Sequence, residues 1–386
     1  MPSHPVEQLS GPIGEQVPGS VAANLVRPPE AFAEKPGNQR ILSLDAFRGL
    51  IMILLVSDGL GFRALSRHPL YHGIATQFIH SDWVGTDFYD VIAPAFVFMV
   101  GMAMPYALGR RVERGATFWN NLGHVTVRAL RLLLLSQILI SIEANKLHFQ
   151  MHNILSQIAV GYFVCFLIMQ LKFSYQVLCC AALLTLHSVL FVLLPGLDGP
   201  FTKMGNIGAV FDRALMGYNY ASWTTNFNMV SYTASMLFGV WTGYLLRSAR
   251  ARAVQLRILA ASMVAAFAAG IALATFIPMI RRIWTASFAL YSLGWVLLMF
   301  LVLYLLIDFF GFRKMTFPLI VAGSNAIFLY SVGEILRGWL DKSVAVFTGG
   351  FEFLGTFAPV AQSCTVLLVM WLMCYWLYRH KIFLRL

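Results

Sequence analysis

From residue 44 onward the chain alternates between apolar runs of about 20 residues and short polar breaks. A helix of that length covers a hydrocarbon core of about 30 Å. The pattern predicts ten spans, near 44–62, 86–109, 122–143, 153–171, 175–195, 229–249, 254–279, 283–308, 316–340 and 358–378. The fourth and fifth are separated by a very short turn. A membrane β-barrel would instead show short segments of alternating polarity, and no internal repeat stands out. The expected fold class is all-α, a polytopic transmembrane helical bundle over residues 41–386. Residues 1–40 are rich in Pro, Gly and polar residues, with no apolar run long enough for a signal peptide. They are expected to form a disordered cytoplasmic tail.

Composition supports the same reading. Hydrophobic residues make up 59% of the 386 positions and charged residues 12%, with a mean hydropathy of +0.71. A soluble domain carries about 25% charged residues. The net charge of +11 does not point to nucleic acid, because the Lys and Arg sit in short clusters between apolar runs. There they orient helices. Alternating the ten spans across a bilayer puts nineteen of the 28 cations on the side of the N-terminus and nine on the other. Both termini are therefore expected in the cytoplasm, and the loops at 63–85 and 196–228 outside. The expected location is a bacterial inner membrane. Cys165, Cys179, Cys180, Cys364 and Cys374 all lie in apolar runs without a CxxC pair, so they read as buried side chains.

Ionisable and polar groups inside apolar spans are expensive, so they mark sites or pathways by default. They are Arg48 and Asp58 in the first span, Asp90 in the second, Glu143 ending the third, His187 in the fifth, and Asn325 and Glu334 in the ninth. Arg48 lies near the cytoplasmic end, where it can snorkel or pair with Asp45 three residues earlier. His187, alone among apolar residues, reads as a hydrogen-bonded core histidine.

His80 differs. It precedes a span starting near Thr86, and the positive end of a helix dipole there favours a neutral imidazole, fit to act as base or nucleophile. If the loop folds back, Asp90 could orient the ring, as in triad logic. The competing reading has His80 capping a helix and Asp90 pairing with an arginine. His68, His72 and His80 share a loop with Asp82 and Asp87 nearby, but show no familiar metal-ligand spacing. No metal is expected.

The ordered motifs add a resemblance. "SLDAFRGL" at 43–50 and "HSDWVGTDFYDVIAPAFVFMVG" at 80–101 are followed by "LSQIAVGY" at 155–162, "FDR" at 211–213 and "GVWTG" at 239–243. "RRIWTASFAL" at 281–290, "GSNAIFLY" at 323–330 and "LYRHKIF" at 377–383 complete the series. Together they resemble the heparan-α-glucosaminide N-acetyltransferase family of membrane enzymes, over about residues 41–386. The chain departs from that family at Gln157, where the family has an arginine. It departs again at "NFNMVSYTA", 226–234, where a D-P-E-G segment is missing.

The resemblance implies a transmembrane acetyltransferase that uses cytosolic acetyl-CoA as co-substrate and an amino sugar or glycan outside as acceptor. The altered segment at 226–234 suggests a sugar other than heparan-type glucosamine. His80 is its expected catalytic histidine and Asp90 its orienting acid. Asp58 and Trp83 are expected to hold the sugar, the latter by stacking, with Asn325 and Glu334 as further substrate-binding groups. Polyanionic acetyl-CoA calls for cations at the inner mouth, where Arg48, Arg128, Arg131, Arg313 and Lys314 are the candidates. The alternative is a carrier for N-acetylglucosamine or related amino sugars, since ten helices with polar midplane groups fit transport too. A homodimer is one expectation for its assembly.

Overall fold

The computed structural model describes residues 41–220 and 223–384, leaving aside the side chain of Met315. The tail expected over 1–40 lies outside the described residues. Among the described residues the chain is helical, in the order α1 (Leu42–Val56), α2 (His72–Thr76), α3 (Ile92–Glu113), α4 (Phe118–Glu143), α5 (Ile154–Met169), α6 (Phe173–Leu193), α7 (Ile207–Met216), α8 (Thr225–Arg247), α9 (Arg252–Ala274), α10 (Ala286–Tyr304), α11 (Phe317–Ser324), α12 (Ala326–Thr348) and α13 (Ala358–Arg379).

Helices occupy all ten predicted segments. Among the described residues, length and apolarity qualify six continuous helical stretches as membrane spans, or up to seven if the bent first stretch counts as one. The difference from ten has local causes. α1 gives way to a 3-10 segment, Asp58–Arg67, at a bend of 51°. α5 has only 16 residues. α8 has 23 residues, but Asn226, Asn228, Ser231, Thr233 and Ser235 dilute its apolar character. α12 and α13 belong to one 54-residue helical stretch. The backbone turns between them at Gly349, Gly350 and Phe351, all with positive φ, and the two helices pack against each other.

The core centres on α3, which is 72% buried along its most apolar stretch, whereas α9 is 17% buried there. α9, α4 and α6 turn large apolar side chains such as Val264, Leu134 and Val192 outward, as lipid-facing helices do. α3 crosses α8 at backbone contact: a Cβ on Gly239 would lie 2.0 Å from Phe98 O, and one on Gly101 2.0 Å from Met236 O. Small residues at such crossings let helices approach where lipid offers no hydrophobic drive.

Chain alternation gathers the loops into two sets. The segments 57–91, 144–153, 194–220, 275–285 and 349–357 lie at one end of the bundle. Those at 114–117, 170–172, 248–251 and 310–316 lie at the other, with the start of α1 and the end of α13.

Candidate functional site

The site is built where the loop after α2 folds back onto the start of α3. Asp87 sits in extended conformation ahead of a 3-10 turn, Phe88–Val91, that leads into α3. It shares a reciprocal capping box with Asp90, which satisfies helix-end donors that would otherwise be orphaned. The capping residue is thus Asp87, not His80.

That capping turn buries Asp90 completely, and its carboxylate collects partners from two loops. Oδ2 accepts from Ser81 N at 3.2 Å, Ser81 Oγ at 2.8 Å and Asp87 N at 3.1 Å. Oδ1 lies 2.8 Å from His80 Nδ1 and 2.8 Å from Arg281 Nε, the latter an ion pair rather than an aligned hydrogen bond. Both sequence alternatives for Asp90 therefore coexist: it holds the imidazole and it pairs with an arginine. A buried carboxylate is tolerable only when paired and hydrogen-bonded, as here.

His80 keeps 41% of its side chain exposed. Its ring lies 4.8 Å from that of Tyr89. With Nδ1 committed to Asp90, Nε2 is the atom left to meet another molecule. Around it, burial and the neighbouring Asp90 charge push the Asp87 carboxyl above its usual range. Asp82, in contrast, is held below its usual range by Lys203, 2.6 Å away.

Arg281 was counted in the sequence only as a charge, although it opens the "RRIWTASFAL" block. It comes from the α9–α10 loop, where Trp284 N donates to Arg281 O at 3.0 Å and Trp284 takes φ 56°. A bulky residue in that left-handed region is strained. The surroundings fix it: Trp284 is fully buried, its Nε1 donates to Ser235 Oγ at 3.0 Å, and its ring lies 3.7 Å from Tyr232. Arg281 itself is 8% exposed and its guanidinium lies over Trp223, 4.8 Å from the ring centre. Burial draws it below its ordinary pKa, opposed by Asp90.

Asp212, in "FDR", was also not singled out. Fully buried, it accepts from Thr225 N, Thr225 Oγ1, Asn226 N and Asn226 Nδ2 at 2.6, 3.0, 3.2 and 2.7 Å. It thereby satisfies the first turn of α8. The 226–234 segment, which lacks acids of its own, takes this one from α7. Next to it, Thr224 N donates to Arg282 O at 3.2 Å, tying α8 to the Arg281 loop. Gln157 donates to Met151 O at 2.6 Å and Thr225 O at 2.8 Å. This position therefore serves the loops at the His80 end.

The other expected substrate groups are dispersed. Asp58 is exposed, with φ 49°, and lies 3.8 Å from Arg337 Nε. Trp83 is half-buried against Phe191, Ile280 and Ile283, and its Nε1 donates to Phe201 O at 2.7 Å. Glu334 is exposed beside Tyr330 and Glu143, and Tyr330 accepts from Asn153 Nδ2 at 3.0 Å. Asn325 is buried at the α11–α12 break. Its amide holds the chain after α13, through Ile382 O and Leu384 N, each at 3.0 Å. That is the end of the bundle away from His80.

The cation candidates fall into two groups. Arg128 stacks on Tyr162 at 4.6 Å and donates to its hydroxyl at 3.1 Å; Arg128, Arg131 and Arg111 surround His124. Arg48 lies 3.6 Å from Asp45, while Arg313 and Lys314 are exposed ahead of α11. His187 is buried, its ring 4.8 Å from Phe191 and hydrogen-bonded to the Ile283 backbone, while its Nε2 has no partner among the described residues. Among the described residues no group of three His, Cys, Asp or Glu is placed to hold a metal ion.

The chain is similar to two curated relatives, both heparan-alpha-glucosaminide N-acetyltransferases. The Homo sapiens protein is 28% identical over 102 residues, which is 26% of this chain and 14% of that protein. The Mus musculus protein is 22% identical over 78% of this chain and 54% of that protein. The longer match thus spans about half the length of the relative. No family model matches the chain. These similarities support a distant relation to a family of membrane N-acetyltransferases.

Proposed function

We propose that this protein is a transmembrane acetyltransferase that moves an acetyl group from cytosolic acetyl-CoA to the amine of an amino sugar or glycan on the opposite face. The observation that carries this reading is the half-exposed imidazole of His80, fixed through Nδ1 by a fully buried, multiply bonded Asp90. This is the base-plus-orienter arrangement of acyl transfer. In direct transfer, the amine attacks the thioester carbonyl while Nε2 takes its proton. The C–S bond then breaks and the departing thiolate takes that proton back from the imidazolium. In a relayed transfer, Nε2 itself forms the C–N bond as the C–S bond breaks and coenzyme A leaves as the thiolate; the amine then attacks the acetyl-imidazolium, the bond to Nε2 breaks to restore the neutral ring, and the proton lost by the amine neutralises the thiolate.

The reading includes ten crossings, both termini in the cytoplasm of a bacterial inner membrane, and His80 outside. The uneven distribution of Lys and Arg supports that orientation. The phosphates of coenzyme A would meet Arg48, Arg128, Arg131, Arg313 and Lys314 at the inner mouth. The acceptor would lie near His80, and Asp58, Trp83 and Glu334 are proposed as groups that help to hold it. Asn325 would serve that path from the far end. The carrier reading is favoured by two features, the 51° bend after α1 and the α11–α12 break at Asn325, since carriers use broken helices at their sites.

One experiment separates the two. Purified protein in vesicles receives labelled acetyl-CoA on one side and a panel of amino sugars on the other. Acetylated sugar formed only with wild type, and not with His80→Ala, supports the enzyme. Sugar uptake without any acetyl-CoA-dependent product would replace it with the carrier.

A further inference from the structure

We propose that Arg281 is the positioning residue that keeps the His80 imidazole neutral, by occupying the charge of Asp90 that would otherwise stabilise an imidazolium. The proposal deepens the acetyl-transfer reading and rests on it for its purpose, though not for its test. It stands on the geometry of one oxygen. Asp90 Oδ1 has His80 Nδ1 at 2.8 Å and Arg281 Nε at 2.8 Å. A carboxylate alone beside a histidine favours the charged ring. A nucleophile or base needs the neutral ring. With a permanently charged guanidinium on the same oxygen, the carboxylate is already balanced, and a proton on His80 would leave the buried group with a net positive charge.

The position of Arg281 is built rather than incidental. It is 8% exposed, under Trp223, on a loop whose Trp284 is held at φ 56°. Arginine rather than lysine suits this place, since its planar group stacks on the ring while its Nε faces the acid.

Other charges near His80 do not take over this function. Asp82 is spent on Lys203 at 2.6 Å. Asp87 accepts from Gln77 Nε2 at 3.1 Å, and its own charge acts in the same direction as that of Asp90. Tyr89 packs its ring against the imidazole, with Asp58 and Arg337 beyond it. From α8, Tyr232 faces Arg281, and Arg282 adjoins it in the loop. Among the described residues, Arg281 is the arginine or lysine that forms an ion pair with Asp90.

The test reads the ring directly, without any activity. Protein with carbon-13-labelled histidine is titrated in detergent micelles by NMR, with the His80 signal assigned from its loss in His80→Gln. In Arg281→Gln the midpoint of the His80 titration is expected to rise by about one unit or more, the usual effect of one charge at this distance. In Arg281→Lys it is expected to stay close to wild type. Should Arg281→Gln not fold, Asp90→Asn is compared with the double variant Asp90→Asn/Arg281→Gln, and the double variant is expected to show the higher midpoint. A midpoint that does not move when the guanidinium is removed overturns the proposal. Failure of the acetylation assay with an intact midpoint shift would remove the enzyme reading alone.

Discussion

His80 Nδ1 and Asp90 Oδ1 stand 2.8 Å apart, although the histidine is half-exposed and the aspartate has no exposed surface. The buried partner fixes the tautomer and the direction of the accessible one. Asp90→Asn keeps the size of the side chain but replaces one acceptor oxygen by a donor, and leaves the Arg281 charge unbalanced. Acetyl transfer is expected to fall by about 10²–10⁴, and His80→Ala to fall at least as far. Initial rates with labelled acetyl-CoA check both. Asp90→Asn at the wild-type rate would show that the pair does not orient the reacting ring.

Asp212 supports the site from behind, by holding four donors at the start of α8. Asp212→Asn places an amide against backbone N–H groups. Hydrogen bonds to a charged group are worth about 1.5–3 kcal/mol, and a loss of that order is expected in unfolding free energy. Thermal unfolding of the detergent-solubilised protein reads it; an unchanged midpoint would mean that water satisfies these donors equally well.

Much of the helical layout is legible in the sequence, because apolar runs of membrane length carry a strong signal. Helices fall at all ten predicted segments. What was illegible is where runs bend or end, as at Asp58–Gly61, where four successive residues have positive φ. Length and apolarity alone cannot register such a break. His80 and Asp90 could be singled out because a ten-residue step between a loop histidine and a span acid is visible locally. Arg281 lies 191 positions from Asp90, and in sequence its charge is indistinguishable from one that merely orients a helix. Asn325 shows the same limit from within a span: its polar character is visible in the sequence, but its partners beyond α13, Ile382 O and Leu384 N, are not.

Acid should loosen the loop between α4 and α5. His152 stacks on Tyr220 with ring centres 3.7 Å apart, and burial lowers its pKa from 6.5 to about 4. The unfolded chain therefore binds the proton well above the pH at which the folded protein does. Stability contributed by the neutral ring is complete above about pH 6.5 and is lost progressively as the pH falls toward 4. After discounting for partial exposure, the effect is about 1–2 kcal/mol. His152→Phe keeps an aromatic stack but cannot titrate. Its melting temperature is expected to fall less than that of wild type between pH 7 and pH 5. Parallel slopes would assign the acid sensitivity to other groups.

The α3–α8 crossing sets the distance between the two halves of the site. Asp90 lies in the turn leading into α3, while α8 holds the Arg281 loop through Ser235 and Trp284. At Gly239 a Cβ would lie 2.0 Å from Phe98 O, so even alanine forces the helices apart. Overpacking of this kind costs about 1–3 kcal/mol. It should also lengthen the Asp90–Arg281 approach, so transfer activity is expected to drop more than stability alone explains. Gly338 in α12 is the control, because a Cβ there meets nothing within 4 Å. Gly338→Ala should be neutral or stabilising by about 0.4–1 kcal/mol. Melting temperatures of both variants, with rates measured well below them, separate the two effects. Gly239→Ala that melts with wild type would mean that the crossing is looser than the backbone contact requires.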